Sequence, residues 1–581
     1  MKNLRWFVAV CATSACMFGH AEGEVLERER PPNFLVIVAD DMGWSDLGVL
    51  GGEIRTPTLD ALAHSGTLLT DFYVAPTCAP TRAMLLTGVD NHRAGLGVQS
   101  GMEAPNQVGR NYRGQLHGDV VTMAEALAPQ GYRSYVSGKW HLADNHDFEA
   151  QAPHNRGFDR SFTLITGGAS HFADQKSISP SEIANYVEDG RRVETLPSDF
   201  YSTVSYTDKM LAYLEAHEDE SPFFAYLAYT APHDPLGVPD NWLDRYAGHY
   251  DEGPYAVRVA RADRQRSKGL LPTDAELWVY PSFPSWFPNH AAPWSERDDL
   301  SKARSARRME IYASMVELMD AQIGRVLDHL ERSGQLQNTY VIFFSDNGAS
   351  APGPLVYPGV TKEWLAEHWD NSLERRGRPG NFTVQGREWA SVSVTPFKLY
   401  KASVSEGGIR SPLIISGPGV MEDQFDPALA HVTDIAPTIY ELAGVDESHE
   451  VFLGKERLRG YSLLPILRDD GVSTRESFGV HLFGNRGFRR GNWKITNTQP
   501  PLSSGEWELF NLETDPGETT DLSAQFPEIK AELLAGFDVY LAQNDVILPS
   551  ESPLRGTLRS LYPEPCDWWC ETRFTIINWL L

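Results

Sequence analysis

The segment Cys78-Ala79-Pro80-Thr81-Arg82-Ala83-Met84-Leu85-Leu86-Thr87-Gly88 puts a thiol and a guanidinium about one helical turn apart. Proline fits the first turn of a helix, so Cys78 stands at or just before a helix N-terminus. Free N–H groups and the dipole there favour an anion, and Arg82, four residues on, lies on the same side. On the residues alone two chemistries compete. Cys78 is a buried thiol used in packing, or it is a thiolate nucleophile whose pKa the helix end lowers. The loop of thiolate phosphatases places more residues between Cys and Arg than the three found here.

Such groups need a scaffold that brings distant residues together. Phe34-Leu35-Val36-Ile37-Val38-Ala39 runs into Asp40-Asp41, and Arg133 to Ser137 runs into Gly138-Lys139-Trp140-His141. Phe223 to Thr230 runs into Ala231-Pro232-His233, and Tyr340 to Ser345 into Asp346-Asn347-Gly348. Helical patterns lie between them over Val120–Gln130, Tyr206–His217 and Arg307–Arg332. In the last, Met309, Tyr312, Val316, Met319, Ile323, Val326 and Leu330 recur at spacings of three and four. Continuous apolar runs alternating with helices predict an α/β fold with a large, mainly parallel central sheet and helices on both faces. Open sheets of this kind bind ligands beyond the carboxyl ends of their strands. Four strands here deliver Asp, Asp, Lys, His, His, Asp and Asn to that edge.

Past about residue 470 the character changes. Phe478–Phe483, Gly487–Arg490, Trp493–Thr496 and Trp507–Phe510 read as short strands, with Gly491-Asn492 as a hairpin turn. An amphipathic helix over Pro527–Asn544 follows, which predicts a smaller C-terminal antiparallel sheet with one helix. The expected division is a leader at 1–21, a catalytic α/β domain at 22–470, the antiparallel subdomain at 471–545 and a tail at 546–581.

Lys and Arg number 51 against 78 Asp and Glu, a net charge of −27 that argues against a nucleic-acid partner. With 41% hydrophobic and 22% charged residues the composition is globular. No stretch reaches the roughly 18 apolar residues of a membrane span. Lys2 and Arg5 precede the apolar run Trp6–Phe18, and Gly19-His20-Ala21 offers small residues before Glu22, the pattern of an export signal. The expected location is periplasmic or secreted. Cleavage near Ala21 is preferred to lipid anchoring at Cys16, because Thr13 is a poor residue for the latter. In an oxidising compartment Cys566 and Cys570 pair across a short loop, which leaves Cys78 as an odd thiol.

The Cys78–Gly88 segment resembles the signature of the sulfatase family, within the alkaline phosphatase superfamily. That signature is Cys-x-Pro-x-Arg followed by Leu-Thr-Gly, and Thr81 stands where Ser is commonest. Asp40-Asp41 with Gly43, and Thr56-Pro57-Thr58-Leu59-Asp60, match the family's opening segment. Gly138-Lys139-Trp140-His141, Ala231-Pro232-His233, Ser345-Asp346-Asn347-Gly348 and Glu406-Gly407-Gly408-Ile409-Arg410 match later ones. Taken singly, an Asp after a strand reads as a turn or helix cap. Six such segments in the family's order, with the Cys motif among them, read as a site, and the resemblance extends from about residue 31 to 545.

The resemblance implies an arylsulfatase-like sulfuric ester hydrolase in which a maturation enzyme oxidises Cys78 to formylglycine. The hydrated aldehyde is then the nucleophile, and the odd thiol is accounted for. Asp40, Asp41, Asp346 and Asn347 are implied as metal ligands; an all-oxygen set suits Ca²⁺, or Mg²⁺, and not zinc. Arg82, Lys139 and Lys401 are implied as a cationic clamp that, with the ion, outweighs the carboxylates and attracts an anion. His233 with Lys401 is implied to protonate the leaving oxygen, and His141 to take a proton from the second hydroxyl. On a strand, Lys139 and His141 would face the same way. The lysine is expected five residues before the Glu of Glu-Gly-Gly, which selects Lys401; Lys398 reads as an ordinary charge on a polar face.

The implied substrate is a small-molecule or saccharide sulfate ester. Two alternatives stand beside it: a phosphate or phosphonate ester hydrolase of the same superfamily, and an inactive secreted binding protein with unmodified Cys78. The segment Leu236 to Ala306 carries Trp242, Trp278, Phe283, Trp286, Phe287 and Trp294, and either packs on itself or borders the pocket. Arg258, Arg261, Arg264, Arg266 and Lys268 within it read as a solvated face or as a contact for a sulfated polymer.

Overall fold

The structure, a computed structural model, describes residues 30–550 except 145–146, 181–182, 218–219, 280–291, 352, 358, 469–474 and 500–502. The expected leader with Cys16, the aromatics Phe283, Trp286 and Phe287, and the pair Cys566 and Cys570 lie outside the described residues.

Eleven strands form one sheet. They are β1 (Asn33–Ala39), β2 (Thr67–Tyr73), β3 (Arg133–Lys139), β4 (Arg160–Leu164), β5 (Tyr186–Glu188), β6 (Arg191–Arg192), β7 (Phe223–Ala228), β8 (Thr339–Ser345), β9 (Arg410–Ser416), β10 (Gln424–Asp426) and β11 (Ala430–His431). Their order is β10-β2-β9-β8-β1-β7-β3-β4-β5-β6, with β11 beside β2. The central run β8-β1-β7-β3-β4 is parallel, while β9, β5 and β6 add antiparallel flanks.

The continuous apolar runs have a direct cause. On β1, Phe34, Val36 and Val38 pack with the Cys78–Thr87, Met123–Leu127 and Ile435–Ala443 helices, whereas Leu35 and Ile37 pack with the Ser202–Glu215 and Asp299–Arg332 helices. A strand buried on both faces has no polar side to show. The Asp299–Arg332 helix starts eight residues before the expected start at Arg307. Its start is set by a cap: the Asp298 carboxylate accepts the Ser301 N–H at 2.6 Å.

A second, four-stranded antiparallel sheet follows in chain order: β12 (Ser477–Leu482), β13 (Asn485–Arg490), β14 (Trp493–Asn497) and β15 (Glu508–Asn511). The Pro527–Gln543 helix packs Leu533, Phe537 and Tyr540 against Phe488, Ile495 and Leu509. Phe478 and Val480 of β12 instead join Tyr73, Val404, Ile409 and Leu429 of the main body.

The basic run divides: Lys268 is exposed and Arg264 and Arg266 half-buried, but Arg258 and Arg261 are buried and belong to neither a solvated face nor a polymer contact. It lies on the Pro254–Ser267 helix, where Arg258 is buried and donates to the carbonyls of Ser391, Pro396 and Phe397. Arg261 pairs with Asp46 and Glu53 at 2.7 Å each. Arg264 donates to Gly51 O at 2.7 Å and Arg266 to Asp263 at 2.9 Å. Partners brought from 45–53 and 391–397 by the fold were invisible to a local reading. Trp242 and Trp294 of the same segment lie under the guanidiniums of Arg245 and Arg297. Among the described residues no helix is long and apolar enough to cross a membrane.

Candidate active site

The carboxyl edge is assembled by backbone ties between neighbouring strands. Asp40 N donates to Ala231 O and Asp346 N to Ala39 O, each at 3.0 Å, which locks the ends of β1, β7 and β8 together. Asp41 is held at φ 68°, a left-handed conformation that a non-glycine residue keeps only where its surroundings impose it. Gly138 has φ 121°, and a Cβ there would lie 1.8 Å from Ala228 O, so only glycine lets β3 end so close to β7. Lys139 then reaches across, its Nζ donating to Asp40 Oδ2 at 2.7 Å. His141 does not join it by strand alternation, as the sequence suggested. β3 stops at Lys139, and His141 turns in at φ 57° with its ring against Gly167.

The Cys78–Thr87 helix starts from an extended Thr77 and ends at Gly88, which takes the left-handed cap. Thr81 Oγ1 accepts from Ala75 N at 2.8 Å, a bond that a serine hydroxyl would make equally well. Arg82, wholly buried, donates from Nε to Asp346 Oδ2 at 2.8 Å and from Nη1 to Lys139 O at 2.9 Å.

Lys401 closes the site. Its Nζ lies 2.6 Å from Asp41 Oδ1 and 3.3 Å from Cys78 Sγ. Lys398 is not on a polar face; it is buried, 3.9 Å from Glu508 and over the Phe510 ring. His233 Nε2 stands 3.5 Å from Asp41 Oδ2. His233 Nδ1 lies 2.5 Å from Asp234 O; a carbonyl only accepts, so Nδ1 carries the proton. Three residues around it escaped the sequence reading. His171 Nε2 donates to His233 O at 2.9 Å, and Tyr357 O–H donates to the Asp234 carboxylate at 3.1 and 3.2 Å. Asp234 had a signal in its place beside His233. His171 and Tyr357 sit in irregular segments where no periodicity marks a role.

Burial dominates the electrostatics. It pushes the Cys78 thiol up to about 12 against the pull of Lys139 and Lys401. Burial, helped by Lys139 and Arg82, holds His141 well below the usual histidine range. Burial takes His233 down to about 4 although Asp41 opposes it. At Asp41 burial is outweighed by Lys401, His233 and Lys139, which hold it at about 2. Burial and Asp40 raise Asp346 to about 6.

The oxygens left over fit a hard cation. Asp40 Oδ1, Asp41 Oδ2 and Asn347 Oδ1 are buried with no hydrogen-bond partner, a costly arrangement unless something positive binds them. Asn347 turns its Nδ2 to Asp41 Oδ1 at 2.6 Å and to Gly348 O at 2.9 Å, which leaves its oxygen free to ligate. Ligand atoms of Asp40, Asp41, Cys78 and His233 lie within 4.8 Å of one another. Asp346 lies beside them, its Oδ2 bound by Arg82 and its Oδ1 accepting from Asp41 N at 3.3 Å.

A doubly covered α/β sheet gathers three buried or nearly buried cations and three carboxylates at its carboxyl edge, with oxygens left open for a cation. The sulfatase family model matches residues 32–445, and the chain belongs to the sulfatase family. It is 38% identical over 540 residues to an uncharacterized sulfatase of Schizosaccharomyces pombe, covering 89% of this chain and 95% of that one. It is also 38% identical over 440 residues to an arylsulfatase of Klebsiella aerogenes, covering 75% and 91%. Among solved structures, Ps i-CgsB in complex with k-i-k-neocarrahexaose superimposes with a TM-score of 0.62 at 23% identity, over 94% of this chain and all of that one. At that identity the likeness is one of fold. The chain is a sulfuric ester hydrolase.

Proposed function

We propose that the protein hydrolyses sulfate esters through a formylglycine formed from Cys78 by a maturation enzyme, releasing sulfate and an alcohol or phenol. The observation that carries this reading is the setting of Cys78: buried at a helix start, 3.3 Å from Lys401 Nζ, with its thiol pushed up to about 12. A thiol so protonated is a poor nucleophile at neutral pH, whereas an aldehyde hydrate needs no thiolate.

Asp40, Asp41 and Asn347, with Asp346 Oδ1 beside them, would hold Ca²⁺ or Mg²⁺, and such an ion polarises the sulfate oxygens when bound. Lys139 and Lys401 add positive charge for the sulfate. Arg82 acts from behind, holding Asp346 and the end of β3 in place. Lys401 and His233 face the ester oxygen that leaves. Of the two, Lys401 carries the proton at neutral pH: burial pulls its pKa down, but Asp41, Cys78 and Asp40 together outweigh burial and hold it well above the usual lysine value. His141, neutral and with a partnerless Nδ1, takes the proton from the second hydroxyl of the hydrate, which expels sulfate and restores the aldehyde.

Mass spectrometry of the tryptic peptide from Thr56 to Arg82 tests the reading. The expected species is lighter than the cysteine form, resists thiol alkylation and reacts with a hydrazide. A fully alkylatable Cys78 in a fully active preparation would return the mechanism to a thiolate. Small-molecule and saccharide sulfates are the substrate classes we assign, and export, with removal of residues 1–21, is the setting we infer for it.

A further inference from the structure

The loop that carries Lys401 is gripped from behind by the C-terminal sheet. On the active-site side, Lys401 N donates to Ala349 O at 3.1 Å and Ala402 N to Pro76 O at 2.8 Å. On the far side, Asn485 Nδ2 of β13 donates to Ala402 O at 3.3 Å, and Val404 packs with Phe478 and Val480 of β12. Leu399 and Ala402 sit at φ 60° and 70°, conformations that persist only where the surroundings over-determine them.

The loop is fused to the Glu406-Gly407-Gly408 turn. Gly407 N donates to Lys398 O at 3.0 Å, and a Cβ at Gly407 or Gly408 would lie 2.2 Å from Leu399 O or 2.1 Å from Ser403 O. Any displacement of the turn is therefore a displacement of the loop. The turn is anchored by Glu406, which is wholly buried. Its Oε1 accepts from Lys494 Nζ of β14 at 2.7 Å, and its Oε2 from Tyr73 O–H at 2.6 Å and Arg410 at 3.2 Å. Lys494 Nζ also lies 3.0 Å from Glu518 Oε1, while Glu406 N donates to Glu518 Oε2 at 2.9 Å. One buried lysine of the second sheet thus holds two carboxylates together beneath the turn.

We infer that Lys494 is a positioning residue for catalysis: through Glu406 it fixes the turn that keeps Lys401 Nζ between Asp41 and Cys78. The inference rests on the reading of Lys401 as the proton donor to the leaving oxygen. It gives the C-terminal sheet a part in the reaction although none of its residues enters the pocket described above. The signature of a misplaced acid differs from that of a destabilised fold. A poorly aligned donor hurts esters with basic leaving groups most, because those need the proton, and spares esters whose leaving group departs unaided.

The test is kcat/KM over phenyl sulfates bearing substituents from nitro to methoxy, each preparation normalised to its hydrazide-reactive fraction. Lys401→Ala should lose on the order of 10²-fold on the most basic leaving group and far less on the nitrophenyl ester. Lys494→Met should show the same trend at about tenfold, the scale of a sub-ångström misplacement, and Lys494→Arg should regain most of it. Because Lys494→Met strands two buried carboxylates at a cost to folding, Asn485→Ala supplies a milder perturbation of the same loop, with a steeper leaving-group dependence again expected. A uniform loss across the series in the folded Lys494 and Asn485 variants would overturn the inference and leave the network a structural one. A flat response in Lys401→Ala would instead remove the underlying reading of Lys401, and the inference with it.

Discussion

Arg82 and Arg261 are both wholly buried arginines, each reaching carboxylates brought from another part of the chain. What differs is the remainder. Around Arg261 every carboxylate oxygen is used: Asp46 Oδ1 by Arg261, Asp46 Oδ2 by Gly43 N and Tyr312 O–H, and both oxygens of Glu53 by Arg261, with Tyr250 O–H on one of them. Around Arg82 three buried oxygens, on Asp40, Asp41 and Asn347, have no partner. A closed network has nothing to offer a ligand, and its worth is to hold 45–53 against the Pro254–Ser267 helix. An open one stores an unmet demand for positive charge, which is what a binding site is. Equal burial and equal residue types therefore mean different things, and satisfaction of the oxygens separates them.

The sharpest break of that comparison is a pair of variants with opposite readouts. Asp41→Asn should lower kcat/KM by about 10³–10⁴-fold, roughly 4–5.5 kcal/mol, with bound metal falling alongside and thermal stability falling by no more than loss of the ion accounts for. Arg261→Met should do the reverse. It strands Asp46 and Glu53 in the interior, so denaturant titration should show a loss of about 3–5 kcal/mol, while kcat per folded molecule stays near wild type. An Arg261→Met protein that is stable but inactive would mean that the closed network serves the chemistry after all.

Much of this was legible in the sequence, for reasons that differ between regions. The strands β1, β3, β7 and β8 announce themselves because burial on both faces leaves uninterrupted apolar runs, and the residues after each run had to lie at one edge. The second sheet was readable because its hairpins are local. The basic run misled because Arg258 and Arg261 find partners 139 and 215 positions away, and an arginine's burial cannot be inferred from its neighbours in the chain. His141 enters by a left-handed turn that a period-two rule does not foresee. His171 and Tyr357 lie on irregular backbone and acquire meaning only through His233 and Asp234.

Removing the ion should sharpen the comparison further, with a smaller effect. If the three partnerless oxygens hold a cation, chelation should cost stability by mass action. That amounts to about 2.7 kcal/mol relative to protein kept at a free-ion concentration near 100 times Kd. Melting curves with and without chelator, then with Ca²⁺ or Mg²⁺ restored, read this directly. Arg261→Met should show the same ion-dependent shift from a lower baseline, since its network lacks open oxygens. Melting that ignores chelator, in protein shown by elemental analysis to have carried metal, would mean the open oxygens are not the ligands.

The mildest effect is expected where the two kinds of network meet. Asp234 lies next to His233 on the open side, yet its carboxylate is satisfied by Tyr357 O–H at 3.1 and 3.2 Å. Asp234 Oδ1 is also 3.4 Å from His233 Nδ1, so the tyrosine steadies the residue whose backbone carbonyl fixes the ring's tautomer. Tyr357→Phe removes one hydrogen bond to a buried carboxylate and leaves the ring's packing intact. The expected cost is about 1–2 kcal/mol, felt as a several-fold fall in kcat with little change in metal content. Tyr357→Ala should cost more, because the ring also packs beside Phe382. If Tyr357→Phe leaves kcat untouched but lowers stability, the Asp234 pair belongs with the closed networks, and the boundary of the working site falls at His233.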